Sequence, residues 1–81
     1  MDNVIVVPGT NYEGGGAAFS VLEDKWFYNL PNFNQRRTPG YRSCSVGSTV
    51  FIIGREAVES LKFKLREDGS IENIAPRWEL I

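Results

Sequence analysis

The stretch "REAVESLKFKLREDG", residues 55–69, decides whether this chain is all-β or mixed. As a helix it has favourable intrinsic propensity and a stop signal at Gly69, but Phe63 lies off the apolar stripe. As a strand, "SLKFKLR" at 60–66 alternates, with its apolar side chains on one face and its basic ones on the other. The pattern therefore predicts a strand, and a small α+β domain with a helix at 55–68 is the alternative.

The residues on both sides of this stretch extend the β pattern. Asp68-Gly69 lies where a hairpin turn is required, and "SIENI", residues 70–74, returns behind it. Upstream segments combine branched, aromatic or alternating residues with Pro, Gly or polar residues at their ends. Strands are predicted upstream at 4–7, 18–24, 26–30, 41–48 and 49–54.

The order of these features recurs along the chain. "VIVVPG" at 4–9 is matched by "VFIIGR" at 50–55, and each is followed by a loop, an alternating strand and a tryptophan segment. The first strands of the two copies start 46 residues apart, from 4 to 50, and the tryptophans lie 52 apart, from 26 to 78. A period near 50 residues built from short strands is typical of β-propellers.

The stretch "WFYNLPNFNQRRTPGYRSCSVGSTVFIIGRE", residues 26–56, resembles a kelch repeat. The matching features, in order, are Trp26, Leu30-Pro31, Arg36-Arg37, Gly47, Val50–Ile53 and Gly54. The chain departs from the family pattern at the glycine pair, which is Gly54-Arg55 here and Pro8-Gly9 in the first copy. It departs again at Tyr41, where a histidine is common.

This resemblance implies an all-β fold made of antiparallel four-stranded blades of a kelch-like β-propeller. Residues 1–40 would form a partial first blade plus a connecting loop, and residues 41–81 a second blade. Because propellers typically have four to eight blades, the ring would be incomplete. The chain would then be a fragment of a longer propeller or would assemble with copies of itself. Structural roles in turns and blade packing are expected for Gly9, Trp26, Gly47, Gly54 and Trp78.

The composition argues against catalysis. The 81 residues include no histidine and one cysteine, which removes the commonest general base and the commonest zinc ligand. A phosphate-binding loop fails because Ser48 follows Gly47 where a lysine is needed. The carboxylates of Glu23-Asp24 and Glu67-Asp68 lie beside turns and are predicted to be solvated. We expect no enzyme, no metal and no cofactor.

Charge and hydropathy bear on partners and location. The net charge of −1 gives no bulk attraction to nucleic acid or to an anionic membrane. The start of the sequence has an acidic second residue and a run of only four apolar residues, unlike a signal peptide. No segment has the length needed to span a bilayer. We therefore predict a cytoplasmic protein with neither a nucleic-acid nor a membrane partner.

One loop combines arginines with a tyrosine, and both residue types are favoured at protein interfaces. In a four-stranded meander, this loop lies at the same end as the loop that joins one blade to the next. We expect a partner-binding face there, formed by Asn11, Tyr12, Glu13, Arg36, Arg37, Tyr41 and Arg42. The partner would be another protein or the remaining propeller blades.

Three functions remain open from the sequence. The first is a non-catalytic protein-binding module, because proteins that resemble kelch often act as substrate adaptors or cytoskeletal binders. The second is a small α+β domain with a structural or regulatory role. The third is a piece of an oxidase with a kelch-like propeller, whose copper ligands would lie outside this segment.

Overall fold

The computed structural model describes residues 3–9, 15–34, 40–55 and 57–81, and within these ranges all regular secondary structure is β. The strands are β1 (Val4–Val7), β2 (Gly16–Ser20), β3 (Lys25–Leu30), β4 (Arg42–Val46), β5 (Thr49–Ile53), β6 (Val58–Leu65), β7 (Ile71–Ile74) and β8 (Glu79–Leu80). No helix in the described part of the chain could span a membrane.

The strands form two antiparallel sheets. Sheet A has three strands in the order β1-β2-β3, and sheet B has five, with β4-β5-β6-β7 in a row and β8 also paired to β6. β8 continues the line of β7, because Ala75 donates to the Lys62 carbonyl and Glu79 then lies opposite Ser60. The segment between them contains Pro76, which has no N–H to give to the ladder. Sheet B is therefore a meander whose last strand is interrupted.

Within the stretch 55–69, Val58–Leu65 forms a strand, as the alternation predicts, and the helix at 55–68 is wrong. Leu61 and Phe63 are 0% and 4% exposed, whereas Lys62 and Lys64 between them are exposed. A helix would bury only some of the apolar side chains of this stretch, whereas the strand places Leu61 and Phe63 together on one buried face. The strand also pairs with β5 along one edge and with β7 and β8 along the other. The small α+β domain is wrong for the same reason, since every element of the described chain is a strand.

The predicted strand at 18–24 ends early. β2 stops at Ser20, and residues 21–24 form a turn in which Asp24 has a positive φ of 49°. The Val21 N–H bonds to the Asn3 carbonyl, and the Asp24 N–H bonds to the Val21 carbonyl. These bonds close the turn, so Val21 and Leu22 lie exposed beyond the sheet instead of alternating within it.

The two sheets stack in the same orientation. The Tyr41 hydroxyl, just before β4, donates to the carbonyl of Pro8, just after β1, at 3.4 Å. This bond brings the end of β1 to the start of β4, so these two strands run in opposite directions. Because β5 is antiparallel to β4, β5 runs in the same direction as β1. At the opposite end, Glu23 in the β2–β3 turn accepts from Ile71 at the start of β7. We call the first the loop end and the second the turn end.

The core lies between the sheets, and each sheet contributes one face to it. Its buried residues are Val4, Ala18, Leu30 and Phe33 from the first half, with Val50, Ile52, Leu61, Phe63, Ile71 and Trp78 from the second. Burying a large apolar side chain contributes roughly 1.5–3 kcal/mol. The opposite faces of both sheets carry the alternate residues and remain more exposed, Ile5 and Ile53 among them.

Candidate functional site

The loop end carries the described part of the expected partner-binding face. Tyr41 and Arg42 are described there, whereas Asn11, Tyr12 and Glu13, and likewise Arg36 and Arg37, lie outside the described residues. The described flanks of both loops, Gly9 and Gly15 on one side and Asn34 and Gly40 on the other, border the ends of β1, β2 and β4.

Tyr41 is half-buried and anchors this end. Its ring meets Phe33 edge-on at 5.8 Å between centroids, and its hydroxyl bonds to the Pro8 carbonyl. A Cβ at Gly9 would overlap the Tyr41 hydroxyl, and Gly9 has a φ of +69°. Gly9 is therefore required twice over, by backbone conformation and by the close approach of Tyr41.

Arg42 is exposed and folded back on its own loop. Its Nη1 donates to the Gly40 carbonyl at 2.8 Å and to the Tyr41 carbonyl at 3.4 Å. A guanidinium has five N–H donors, so bonds through Nη1 orient the group while leaving donor capacity at the surface. This geometry suits an exposed contact residue better than a residue of a buried ion pair.

The segment 31–34 is bonded to sheet B on two sides. The Asn34 N–H donates to Glu59 Oε1 at 2.7 Å, and Asn34 Nδ2 donates to the Trp78 carbonyl at 2.7 Å. In return, Trp78 Nε1 donates to the Pro31 carbonyl at 2.9 Å, and the Trp78 ring meets Phe33 edge-on at 5.1 Å. These bonds fix the segment that leads into the loop with Arg36 and Arg37 relative to sheet B.

Glu59 is a structural residue that the sequence analysis misses. It is 0% exposed, and a buried carboxylate is stable only when its oxygens accept hydrogen bonds. The signal is present in the sequence, because Glu59 has the same strand parity as Leu61, Phe63 and Leu65 and so falls on the apolar face of β6. A charge on that face implies a partner inside the fold.

The turn end holds a second polar cluster, and two carboxylates predicted to be solvated have defined partners there. The Ile71 N–H donates to Glu23 at 3.1 Å, and this bond, with smaller effects of Ser20 and Arg66, lowers the pKa of Glu23. The Ser70 hydroxyl and N–H both donate to Asp68, which lowers the pKa of that carboxyl. Arg66 bonds to the Ser70 hydroxyl and to the Ile71 carbonyl, which ties the turn to β7.

The other residues expected to have structural roles lie in different environments. Gly47 has a φ of +60° in the β4–β5 turn, whereas Gly54 is not among the residues with positive φ. Trp78 is 2% exposed, but Trp26 is 44% exposed on the face of sheet A that points away from sheet B. Within this chain only Trp78 packs between sheets, so the matched tryptophans do not share one environment.

Two further features of the described residues bear on chemistry, namely the grouping of potential metal ligands and the thiol of Cys44. Among them, no three His, Cys, Asp or Glu side chains are grouped so that they could hold a metal ion. Cys44, on β4, is a free and exposed thiol, although a free cysteine is more often a small buried residue. Comparison with family models, with curated proteins and with solved structures found no match in any of the three.

Proposed function

We propose that this chain is a non-catalytic protein-binding module, a fragment of a kelch-like propeller that presents its loop end to a protein partner. The observation that carries the proposal is the stacking of two antiparallel sheets in the same orientation around one shared core. Neighbouring blades of a propeller are related in this way. The proposed location is the cytoplasm, where a free exposed thiol such as Cys44 is normal.

The loop end is the proposed contact surface because the described residues at its base are held by hydrogen bonds and ring contacts, and Arg42 beside them is exposed. Asn34 is bonded to Glu59 and Trp78, and Tyr41 is held by Phe33 and Pro8. Rigid supports of this kind lower the entropy that a loop loses on binding. Arg42 then offers an oriented guanidinium at the surface, a group enriched at protein interfaces.

A capture experiment tests this function. The immobilised chain is incubated with lysate of the source cells, and bound proteins are quantified by mass spectrometry. The contact variant combines Arg36→Glu, Arg37→Glu and Arg42→Glu. The control is Lys25→Glu, a single charge reversal at an exposed residue of the turn end. We expect at least one captured protein to fall tenfold or more with the contact variant and to remain with the control.

Two results would overturn the proposal. One is that no protein is captured above the bare support. The other is that every captured protein is retained equally by the contact variant and the control. Both variants must first give the far-ultraviolet circular dichroism of the unmodified chain, so that a loss of capture reports on the surface and not on folding.

A further inference from the structure

The outer face of sheet A is an exposed apolar surface, which we call the aromatic face and define as Ile5, Phe19, Trp26 and Tyr28. Ile5 lies opposite Phe19, and Phe19 lies opposite Trp26. The Phe19 and Trp26 rings are 5.0 Å apart, and Trp26 stacks on Tyr28 at 5.9 Å. Ile5, Trp26 and Tyr28 are 57%, 44% and 70% exposed. A contiguous exposed surface of this composition marks an interaction site.

The equivalent face of sheet B is covered within the chain. Because the two sheets stack in the same orientation, the face of sheet A that points away from sheet B corresponds to the face of sheet B that points toward sheet A. Trp78 lies on that covered face, against Phe33 and Pro31. Trp26 and Trp78 are therefore equivalent in direction, and only Trp26 lacks a sheet packed over it within the described chain.

The face of sheet B that carries Trp78 is covered by the inner face of sheet A, and Trp78 itself by Phe33 and Pro31 from the segment after β3. By the same equivalence, the chain has a second surface like the inner face of sheet A, which is the outer face of sheet B. We call this the distal face and define it as Phe51, Ile53, Val58 and Ile81. Ile53 lies opposite Val58, and the Ile81 N–H bonds to the Val58 carbonyl. Ile53 and Ile81 are 48% and 75% exposed.

The aromatic face has one acidic neighbour at the end of the stack where the distal face has one basic residue. Asp24 is exposed in the turn beside Trp26. Lys62 is exposed on the distal face, where it pairs with Thr49 next to the β4–β5 turn. Both charges lie at the turn end, so stacking two copies in the same orientation brings opposite charges to the same edge.

We propose that the aromatic face binds the distal face of a second copy of this chain, head to tail, repeating the stacking of sheets A and B within one copy. Such an interface is heterologous, because each copy offers two different surfaces and leaves one of each free for further copies. The proposal concerns the sheet faces. It meets the loop end only at Arg42, which lies opposite Ile53 and so borders the distal face.

Two single variants test it, each removing one face. Trp26→Glu removes the aromatic face, and Ile53→Lys removes the distal face. We expect light scattering of the unmodified chain to give masses above the 9.1 kDa of one copy, rising with concentration. Each variant alone is expected to have the mass of one copy. An equimolar mixture is expected to give a complex of two copies, since one intact face of each kind remains.

Controls separate assembly from folding. Leu22→Glu places the same charge at an apolar residue that is 50% exposed and belongs to neither face, and it should assemble normally. In Trp26→Glu the remaining Trp78 reports folding by blue-shifted fluorescence. If Trp26→Glu does not fold, Tyr28→Glu at a 70% exposed residue replaces it.

A single-copy mass for the unmodified chain at high concentration would overturn the proposal and point to a different occupant of the aromatic face. Assembly that Trp26→Glu abolishes and Ile53→Lys leaves intact would also overturn it, because the aromatic face would then pair with itself. Assembly that survives both variants would place the contact elsewhere on the molecule.

Discussion

The Glu23 carboxylate accepts a hydrogen bond from the Ile71 N–H at 3.1 Å and so joins a turn of sheet A to the first residue of β7 in sheet B. The two residues are 48 positions apart in the chain. Arg66 lies 3.9 Å from the same carboxylate and also bonds to the Ile71 carbonyl. This contact at the turn end, together with the Tyr41–Pro8 bond at the loop end, fixes both ends of the sheet stack.

Stability should fall in acid, and Glu23 should account for part of the loss. The folded-state pKa values of Glu23, Asp68 and Glu72 are lowered, so their contribution is present above the ordinary values, 4.5 for glutamate and 3.8 for aspartate. It is lost as pH falls through the lower folded values. Urea unfolding between pH 7 and pH 2.5 should give a Glu23→Gln variant that is less stable at pH 7 and flatter below pH 4.5.

The control for this prediction is Glu67→Gln, which changes an exposed carboxylate in the neighbouring turn. It should follow the pH dependence of the unmodified chain. Parallel curves for Glu23→Gln and the unmodified chain over the whole acid range would show that the Glu23–Ile71 bond does not couple protonation to folding.

Much of the β architecture follows from local pattern, and the contacts between the sheets do not. Alternation of Leu61 and Phe63 with Lys62 and Lys64 is sufficient to place β6, because one strand face must be buried and the other solvated. The partner of Glu59 is 25 positions away, and the turn that ends β2 depends on a bond from Val21 to Asn3. Strand parity indicates that Glu59 needs a partner inside the fold, but neither segment of sequence identifies the distant residue that it contacts.

The candidate site, like the fold, could be predicted from the sequence only in part. Arginines and a tyrosine in one polar loop predict a contact surface from their residue types alone, and this stays a prediction. The sequence gives no sign that Tyr41 is partly a packing residue, because that role depends on Phe33 and Gly9 approaching it in space. Equal spacing likewise makes Trp26 and Trp78 look alike, although only one has a sheet packed over it.

Glu59 should tolerate loss of its charge better than loss of its acceptor oxygen. Glu59→Gln keeps an oxygen for the Asn34 N–H, whereas Glu59→Ala removes that acceptor and shortens a side chain that is 0% exposed. A lost hydrogen bond costs about 0.5–1.5 kcal/mol, so the alanine variant should be the less stable by about that amount in urea unfolding. Equal losses for the two variants would mean that the hydrogen bond to Asn34 contributes nothing measurable.

Replacement by phenylalanine should destabilise the fold much more at Trp78 than at Trp26. Trp78→Phe removes the donor to the Pro31 carbonyl in a side chain that is 2% exposed, and we expect a loss of about 1–3 kcal/mol. Trp26→Phe changes an exposed ring and should alter the unfolding free energy of a single copy by less than about 0.5 kcal/mol. Urea unfolding at low protein concentration measures both, and iodide should quench Trp26 but not Trp78. A larger loss of unfolding free energy for Trp26→Phe, or stronger iodide quenching of Trp78, would contradict the burial of Trp78 and the exposure of Trp26.

Gly9→Ala should lower the unfolding free energy, and contact of the new methyl group with Tyr41 should cause part of the loss. A positive φ costs roughly 1–2 kcal/mol for a residue with a Cβ, and at Gly9 the added atom would also overlap the Tyr41 hydroxyl. Gly47→Ala is the matched control, because its φ of +60° is similar and nothing lies within 4 Å of the added Cβ. Gly9→Ala should therefore be the more destabilising of the two in urea unfolding.

Adding Tyr41→Phe removes the overlapping oxygen and should recover part of the loss in Gly9→Ala but none of the loss in Gly47→Ala. A double-mutant cycle measures this coupling directly. Simple additivity of Gly9→Ala and Tyr41→Phe would show that backbone strain alone fixes glycine at this position. A favourable coupling of Tyr41→Phe with Gly9→Ala, but not with Gly47→Ala, would show that the close contact of Tyr41 with Gly9 requires glycine at this position. That contact holds the end of β1 against the start of β4.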